Sequence, residues 1–437
     1  YGIPDNFLRT ATHCGKRDTM GIPIKWRLRS DGPILCALAF LVPPIATLAP
    51  LQISGVAVAA ALAVAFRRTL AGGPWPSDQP ALVIILLSIW LWSVITSTWS
   101  IDTSLSVGTA VRLLLAATTL VILVDSAGRL ASSERLQFLR WMSYGAIAGV
   151  ILTLSVISII YIHTIWIQGL EMAEHELAAL NRSASVIAIF VWPWAMGISH
   201  HYGRRAAVIF TIMAFCAVYL LAPLTPFVAV LLGTCAFAVA WYSPRLAKVL
   251  LLCVFVISIA VVPFFDTFLS RLDGLLTEVL QDPFNIKHRF IIWQFAVAHI
   301  LEHPLIGWGL DAARILPGGN SELLVGFHPD GTLATGPALP LHPHNALIQV
   351  WLELGLIGVL LFAALFGLAV WAIPHSVEKK SASTVAIAVT FTGLVISQLG
   401  FGFWQGWWLA TLGIAAVTTV VTVGRLGPAD EPNLVKQ

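Results

Sequence analysis

Charge is what this chain has least of. Of its 437 residues only 11% are charged, 25 basic against 22 acidic, while 58% are hydrophobic and the mean hydropathy is +0.85. A soluble globular domain is nearer half apolar and a quarter charged, and so little polar surface cannot seal a core that stays in water. The soluble classes are excluded. The net charge of +3 is small and no block of basic residues persists, which argues against nucleic acid as a partner. Cysteine is scarce too: Cys14, Cys36, Cys216, Cys235 and Cys253 form no C-x-x-C pair. Four of them fall in apolar runs, where a thiol is a small buried hydrophobe. No short apolar stretch with a small-residue cleavage site follows the polar residues 1–32, which read as a cytoplasmic tail rather than a signal peptide.

What the chain has instead is apolar runs of bilayer length, about 17–25 residues each. They fall at 33–50, 52–66, 80–99, 105–124, 140–162, 183–199, 206–222, 225–242, 246–265, 344–373, 383–400 and 403–423. The pattern predicts an all-α polytopic membrane protein of about twelve transmembrane helices, with the short first pair suited to a hairpin. The expected organisation is a tail (1–32), spans one to nine (33–265), one large loop with amphipathic helices (266–343), spans ten to twelve (344–423) and a second tail (424–437). Neither an internal repeat nor a clear two-half symmetry is evident.

Lys and Arg counts on alternate sides set orientation. With the N-terminus inside, 19 of the 25 lie on the inner side, Arg182, Arg271, Lys287, Arg289 and Arg314 lie outside, and Arg112 falls within a span. Both tails are thus expected in the cytoplasm and the large loop outside. The six exceptions oppose insertion and call for a reason. Residues 163–182, with Glu171, Glu174 and Glu176, suit a short interfacial helix. The large loop holds an apolar helical stretch from Ile286 to Leu301, then Pro304, Gly307 and Gly309, then a Gly/Pro-rich segment from Leu316 to Pro343.

Three expected helix starts gather the anomalous residues. Asn181 suits an N-cap, which puts Arg182 in the first turn of span six, where the helix dipole disfavours a cation. Snorkelling to lipid phosphate is the plain alternative. Asn285 caps the loop helix in the same way, with Lys287, His288 and Arg289 crowding its first turns and only Asp282 nearby. Bound phosphate would account for such crowding, since helix N–H groups and guanidinium both favour it; a basic rim at the headgroups is the alternative. The third start is Leu341-His342-Pro343-His344-Asn345. With Pro343 as the first helical residue, His344 falls in the first turn, where the dipole lowers its pKa and leaves a neutral imidazole able to act as a base. On a continuous helix Gly355 and Gly358 lie within about 20° and 40° of His344. Metal is the competing use of His342, His344 and His328, or of His299 and His303. The loop has no acidic or thiol ligand at clear spacing, so no metal is expected.

The run His344-Asn345, nine residues, then Gly355-Leu356-Ile357-Gly358 resembles the His-Asn/Ser/Gln-x9-Gly-x-x-Gly signature of the O-antigen ligase and polymerase superfamily. Val359 departs from the Gly, Thr or Tyr that follows it in that pattern. Arg289-x-x-x-Trp293, the Pro304/Gly307/Gly309 segment, twelve spans and one large loop are similar as well, over essentially residues 33–423. The resemblance implies a membrane GT-C-like glycosyltransferase of the bacterial inner membrane with its active site on the periplasmic face. It implies transfer of a glycan from undecaprenyl diphosphate to a sugar hydroxyl of lipid A-core, inverting, with neither metal nor nucleotide cofactor. Carried over, His344 is the general base and Arg182 and Arg289 hold the diphosphate, with Lys287 and Arg112 as further diphosphate candidates. His342, Asn345, Arg314, Glu353 and Trp404 would support the cavity.

Elementary chemistry reaches a similar mechanism. A diphosphate leaves readily once its developing charge is stabilised, and a hydroxyl attacks once a base takes its proton. No paired-carboxylate site is needed. Arg112 and Glu353, both within spans, are expected to pair with each other, the alternative being a direct role for Arg112 on the donor phosphate. Of the 17 tryptophans most sit near span ends, and the cluster Phe401, Phe403, Trp404, Trp407 and Trp408 reads first as an interfacial belt. An O-antigen polymerase or a protein O-oligosaccharyltransferase shares this chemistry. A twelve-span transporter of lipid-linked glycans would instead show related halves and broken helices at the midplane.

Overall fold

The computed structural model describes residues 30–71, 73–76, 79–167, 180–221, 224–265, 284–327, 332–374 and 380–424. The two tails, the stretch with Glu171, Glu174 and Glu176, and Arg271, Asp282 and His328 lie outside the described residues. The helices are α1 Gly32–Leu48, α2 Ile53–Ala71, α3 Pro80–Thr96, α4 Thr103–Gly128, α5 Ser132–Tyr161, α6 Asn181–Leu220, α7 Leu224–Tyr242, α8 Pro244–Val261, α9 Phe284–Glu302, α10 Ala346–Ala372, α11 Lys380–Leu399 and α12 Gly406–Val423. Among the described residues, nine of these are long and apolar enough to cross a membrane, with α1 and α3 as shorter apolar companions. Large apolar side chains such as Phe66, Ile84, Val111, Ile212, Leu360 and Trp371 are exposed on the bundle. In water that surface would aggregate, and in a bilayer it faces lipid. The protein is an all-α, multi-pass membrane protein.

Helix starts follow local chemistry. Proline opens α1, α3 and α8, where its missing N–H costs nothing. Asp102 caps α4 by accepting the Leu105 N–H at 3.0 Å, and Asn345 caps α10 by accepting the Ile348 N–H at 3.0 Å. Helix α6 joins two of the expected spans into one hairpin. Gly203, at φ 84°, breaks it in a conformation that glycine adopts readily. Trp194 then meets Phe210 and Trp192 meets Phe215, so the two arms lie antiparallel. Helix α1 packs tightly on α5, because Gly145 and Gly149 leave room for the Phe40 backbone and Pro43; a Cβ at either glycine would collide with them.

The large loop contains more than helices. Helix α9 matches the expected amphipathic stretch and buries Ile292, Ala296, Val297 and Ile300. A two-stranded antiparallel hairpin follows, β1 Glu322–Phe327 and β2 Leu333–Pro337, with a bulge between Leu324 and Gly326. The Gly/Pro-rich reading of that region did not foresee strands, since short edge pairs carry little periodicity.

The loop also reaches down the bundle. Helix α10 is broken at Gly355, whose φ of 66° and ψ of −170° are non-helical. The break frees backbone groups, and residues 304–309 satisfy them. Trp308 and Gly309 N–H donate to the Leu352 and Glu353 carbonyls, both at 2.9 Å, and Leu356 and Ile357 N–H donate to the Pro304 and Leu305 carbonyls at 2.9 and 3.3 Å. Indole N–H groups complete the set: Trp92 to the Leu354 carbonyl, Trp99 to that of Gly307 and Trp351 to that of Pro304. At the 1.5 Å helical rise this junction sits about 10–15 Å below the start of α10. Non-helical backbone at such depth is tolerated only when protein satisfies it, as here. The expected stripe of His344, Gly355 and Gly358 along one continuous helix is therefore corrected: the first glycine ends the helix segment that follows His344, and its role is to admit the loop.

Candidate active site

Helix α10 starts at Ala346, three residues after Pro343, the start that the sequence suggests. Asn345 is the cap, so His344 stands just before the helix rather than in its first turn, with a left-handed φ of 54°. Pro343 is not the first helical residue; its carbonyl accepts from Trp293 Nε1 at 2.7 Å. His344 Nδ1 lies 2.7 Å from the Gly400 carbonyl oxygen. A carbonyl only accepts, so Nδ1 carries the proton and Nε2 is left with its lone pair, the atom a base needs. The His344 N–H points at His342 Nδ1, 3.3 Å away. Burial is the largest influence on the His344 pKa and lowers it; the Gly400 bond opposes this, and the charges of Arg289 and His288 lower it further. His342 is driven down to about 3, by burial first and then by His344, Arg314 and Arg289. Both imidazoles are neutral at pH 7. Burial, more than the dipole invoked from sequence, is the cause.

Two arginines, Arg289 and Arg182, reach the same turn without a carboxylate of their own among the described residues. Arg289 Nη1 donates to the Leu399 carbonyl, beside the Gly400 carbonyl used by His344. Its neighbour on the same helix face, Trp293, holds Pro343, so α9 clamps both flanks of His344. Arg182 lies 6.0 Å from the centre of the Trp407 ring, and its Nε is buried without a hydrogen-bond partner among the described residues. Trp407 Nε1 donates to Gln405 Oε1, and Gln405 Nε2 is 3.5 Å from His342 Nε2. The turn 399–407 between α11 and α12 thus links Arg289, His344, His342 and Arg182. Asn181 does not cap α6: Leu180 is in the cap position, and Asn181 Oδ1 is buried and unpartnered. Helix α9 likewise opens at Phe284, one residue before Asn285. Lys287 is two residues from Arg289, a spacing that puts it on the other side of the helix.

The intramembrane pair is also corrected. Arg112 does not meet Glu353; its Nη2 bonds Thr109 and approaches Asp311 Oδ2 at 3.8 Å. Arg314 Nε takes the other oxygen of Asp311 at 2.8 Å, and Thr109 Oγ1 donates to Oδ2 at 2.7 Å. Glu353, fully buried, accepts from the Asp311 N–H, from Trp404 Nε1 at 2.6 Å and from Gln349 Nε2 at 3.0 Å. Gln349 Oε1 in turn accepts the Phe403 N–H at 2.8 Å, tying α10 to the same turn. Asn345, Glu353 and Trp404 are thus framework, and Trp404, 5% exposed, is core rather than belt. Sequence reasoning overlooked Asp311, Gln349 and Gln405. The spacing of Asp311 and Arg314, three residues apart, was the one available sign. Among the described residues no group of three or more His, Cys, Asp or Glu stands close enough to hold a metal ion.

A buried polar cluster thus sits at one end of a multi-pass helical bundle, where a large loop meets a broken helix. Residues 209–363 match the family model described as O-Antigen ligase. That region includes Arg289, Asp311, His344 and Gly355; Arg182 and the 399–407 turn lie outside it. The chain is also similar to proteins named "Putative polysaccharide ligase". One from Rickettsia conorii is 32% identical over 131 residues, 29% of each chain. One from Rickettsia felis is 25% identical over 246 residues, 55% of this chain and 57% of the relative, and one from Rickettsia bellii is 26% identical over 247 residues, again 55% and 57%. The matches span between 29% and 57% of these relatives' length.

Proposed function

We propose that the protein is an O-antigen-type ligase, transferring a glycan from undecaprenyl diphosphate to a sugar hydroxyl of lipid A-core on the periplasmic face of a bacterial inner membrane. The observation that carries this is the turn 399–407, which gathers a neutral His344 and two arginines, Arg182 and Arg289, that have no carboxylate partner among the described residues. An unpaired guanidinium in a poorly hydrated site favours an anion strongly, and a diphosphate is the natural occupant. The family match and the names of the relatives support an enzyme acting on polysaccharides.

In this reading His344 Nε2 takes the proton from the acceptor hydroxyl as its oxygen attacks the anomeric carbon. The bond from that carbon to the diphosphate oxygen breaks, and polyprenyl diphosphate leaves with the electron pair, its charge held by Arg182 and Arg289. Attack opposite the leaving group inverts the anomeric centre. The Gly400 carbonyl holds the tautomer and steadies the imidazolium that forms. The position of His344 before the helix, with Asn345 capping, aims the ring at the turn rather than along α10.

The test is purified full-length chain in nanodiscs, given a polyprenyl-diphosphate glycan and lipid A-core glycolipid. Capped glycolipid should form, and His344→Ala should lower the rate by a factor of about 100 or more, as loss of a general base does. Arg182→Ala and Arg289→Ala should raise the donor KM or lower kcat. Wild-type rates from His344→Ala at equal protein level would refute the assignment. Growth of the donor glycan without capping would mark a polymerase instead.

A further inference from the structure

Asp311 holds two arginines, Arg112 and Arg314. Its side chain is 2% exposed, yet Arg112 beside it is 61% exposed and Arg314 is 33% exposed. Arg112 uses Nη2 and Arg314 uses Nε toward protein acceptors; among the described residues their other N–H groups have no protein acceptor. Two guanidiniums thus share one carboxylate, and both stay partly exposed while it is buried. Asp311 itself has a left-handed φ of 60°, fixed by Thr109 on one side and the Glu353 contact on the other, so the pair is mounted on a rigid base.

We propose that Arg112 and Arg314 form a second anion subsite, which takes a phosphate on the lipid-proximal sugars of the acceptor glycolipid. This rests on the ligase reading above. Depth separates the subsite from the donor's. In the donor, a diphosphate oxygen is bonded directly to the carbon under attack, opposite the incoming hydroxyl, so the groups that hold it lie just across that carbon from the base. Asp311 instead joins α10 at Glu353, seven residues beyond the start of the helix, or about 10 Å along its axis. A glycolipid whose reacting hydroxyl is at His344 has its lipid-proximal sugars on the membrane side of that hydroxyl. An anion there falls at the level of the arginine pair. Arg314 also acts electrostatically on His342. An arginine exposed within a span is otherwise costly, and an anionic lipid group offsets that cost.

The experiment measures acceptor KM for lipid A-core glycolipid before and after chemical removal of its phosphates, with wild type, Arg112→Gln and Arg314→Gln. Both side chains are partly exposed, and folding is checked by monodispersity and thermal unfolding. Wild type should prefer the phosphorylated acceptor by about tenfold or more, the value of a charge-assisted hydrogen bond. Each variant should lose most of that preference while its donor KM stays within twofold. Nanodiscs with and without phosphatidylglycerol form the second arm, and preference unaffected by that lipid supports the acceptor as the source. A rise in donor KM instead would assign the pair to the diphosphate and overturn the inference. Equal preference in wild type and variants would also overturn it, as would a preference that disappears with phosphatidylglycerol. No product from wild type with either acceptor would overturn the ligase reading itself, and this inference with it.

Discussion

Arg289 and His344 donate to consecutive carbonyls of one turn, Leu399 and Gly400. The pairing makes the turn a gauge between cation and base: moving either side chain strains the other's acceptor. It also puts a fixed positive charge beside the imidazole, which the ring feels as pressure against protonation. In the proposed reaction that charge faces the leaving diphosphate.

The pH profile should carry this signature. Burial and neighbouring cations put the His344 pKa below its ordinary value of 6.5. The base is then mostly neutral at pH 7 and remains so until the pH falls through the lowered value, so the acid limb of kcat/KM should be centred below pH 6.5. Arg289→Gln removes a charge that lowers the pKa, so the acid limb should move to higher pH even as the rate falls. Stability follows the same sign. Below about 6.5 the unfolded imidazole binds a proton that the folded one refuses. The fold therefore loses stability as pH drops toward the lowered pKa and is unaffected above 6.5. An acid limb centred at or above 6.5 in wild type would contradict the burial argument.

Gly355 should tolerate no side chain. Its φ of 66° disfavours an L-residue, and a Cβ there would strike the Leu305 carbonyl and the Ile306 nitrogen. The conformational part alone costs about 1–2 kcal/mol, and the collision would also expel residues 304–309 from the break. Gly355→Ala should lower the thermal unfolding midpoint and abolish activity. Gly367→Ala, in the same helix but with open space at its Cβ, should be neutral or stabilising by about 0.5–1 kcal/mol. Equal unfolding midpoints for the two variants would show that the break is not set by Gly355.

Asn345 offers a milder test of the helix start. Asn345→Ala removes the cap on the Ile348 N–H and should cost about 1 kcal/mol, while Asn345→Ser or Asn345→Asp should retain most of it. Because the cap fixes the residue that follows His344, activity should fall with Ala more than with Ser. If Ala and Ser behave alike in thermal unfolding, the cap contributes nothing and the residue acts through its substrate side.

The apolar runs were legible because a bilayer demands uninterrupted hydrophobic length, and each of the twelve is a helical arm. Gly203, which folds two of them into one hairpin, reads in sequence only as a polar His-His-Tyr-Gly-Arg-Arg connector. The histidine signature did not disclose the geometry of its residues. Its first half was read as a helix start and its second as a packing stripe, whereas His344 precedes the helix and Gly355 breaks it. Nothing in a local window tells that Pro304–Gly309 will supply the missing backbone partners. The Arg112–Glu353 expectation failed for a related reason: pairing ions by depth along two helices ignores a third segment that enters at the same depth, and that segment brings Asp311.

That failed pairing yields a quantitative contrast. Glu353 is fully buried and receives three donors, from Asp311, Trp404 and Gln349. Glu353→Ala leaves all three without an acceptor, at about 1–3 kcal/mol for each stranded group. They relax together, so the sum is an upper bound. Glu353→Gln keeps one acceptor oxygen and should lose less. Trp404→Phe removes a single bond to the carboxylate, about 1.5–3 kcal/mol. Arg112→Ala, at an exposed 3.8 Å contact, should change thermal stability by no more than about 0.5 kcal/mol. Had Arg112 been the partner of Glu353, removing either one would strand a buried charge, and the two alanine variants would unfold alike. Thermal unfolding of the four variants in one detergent decides between a direct ion pair and a carboxylate held by backbone, indole and amide donors.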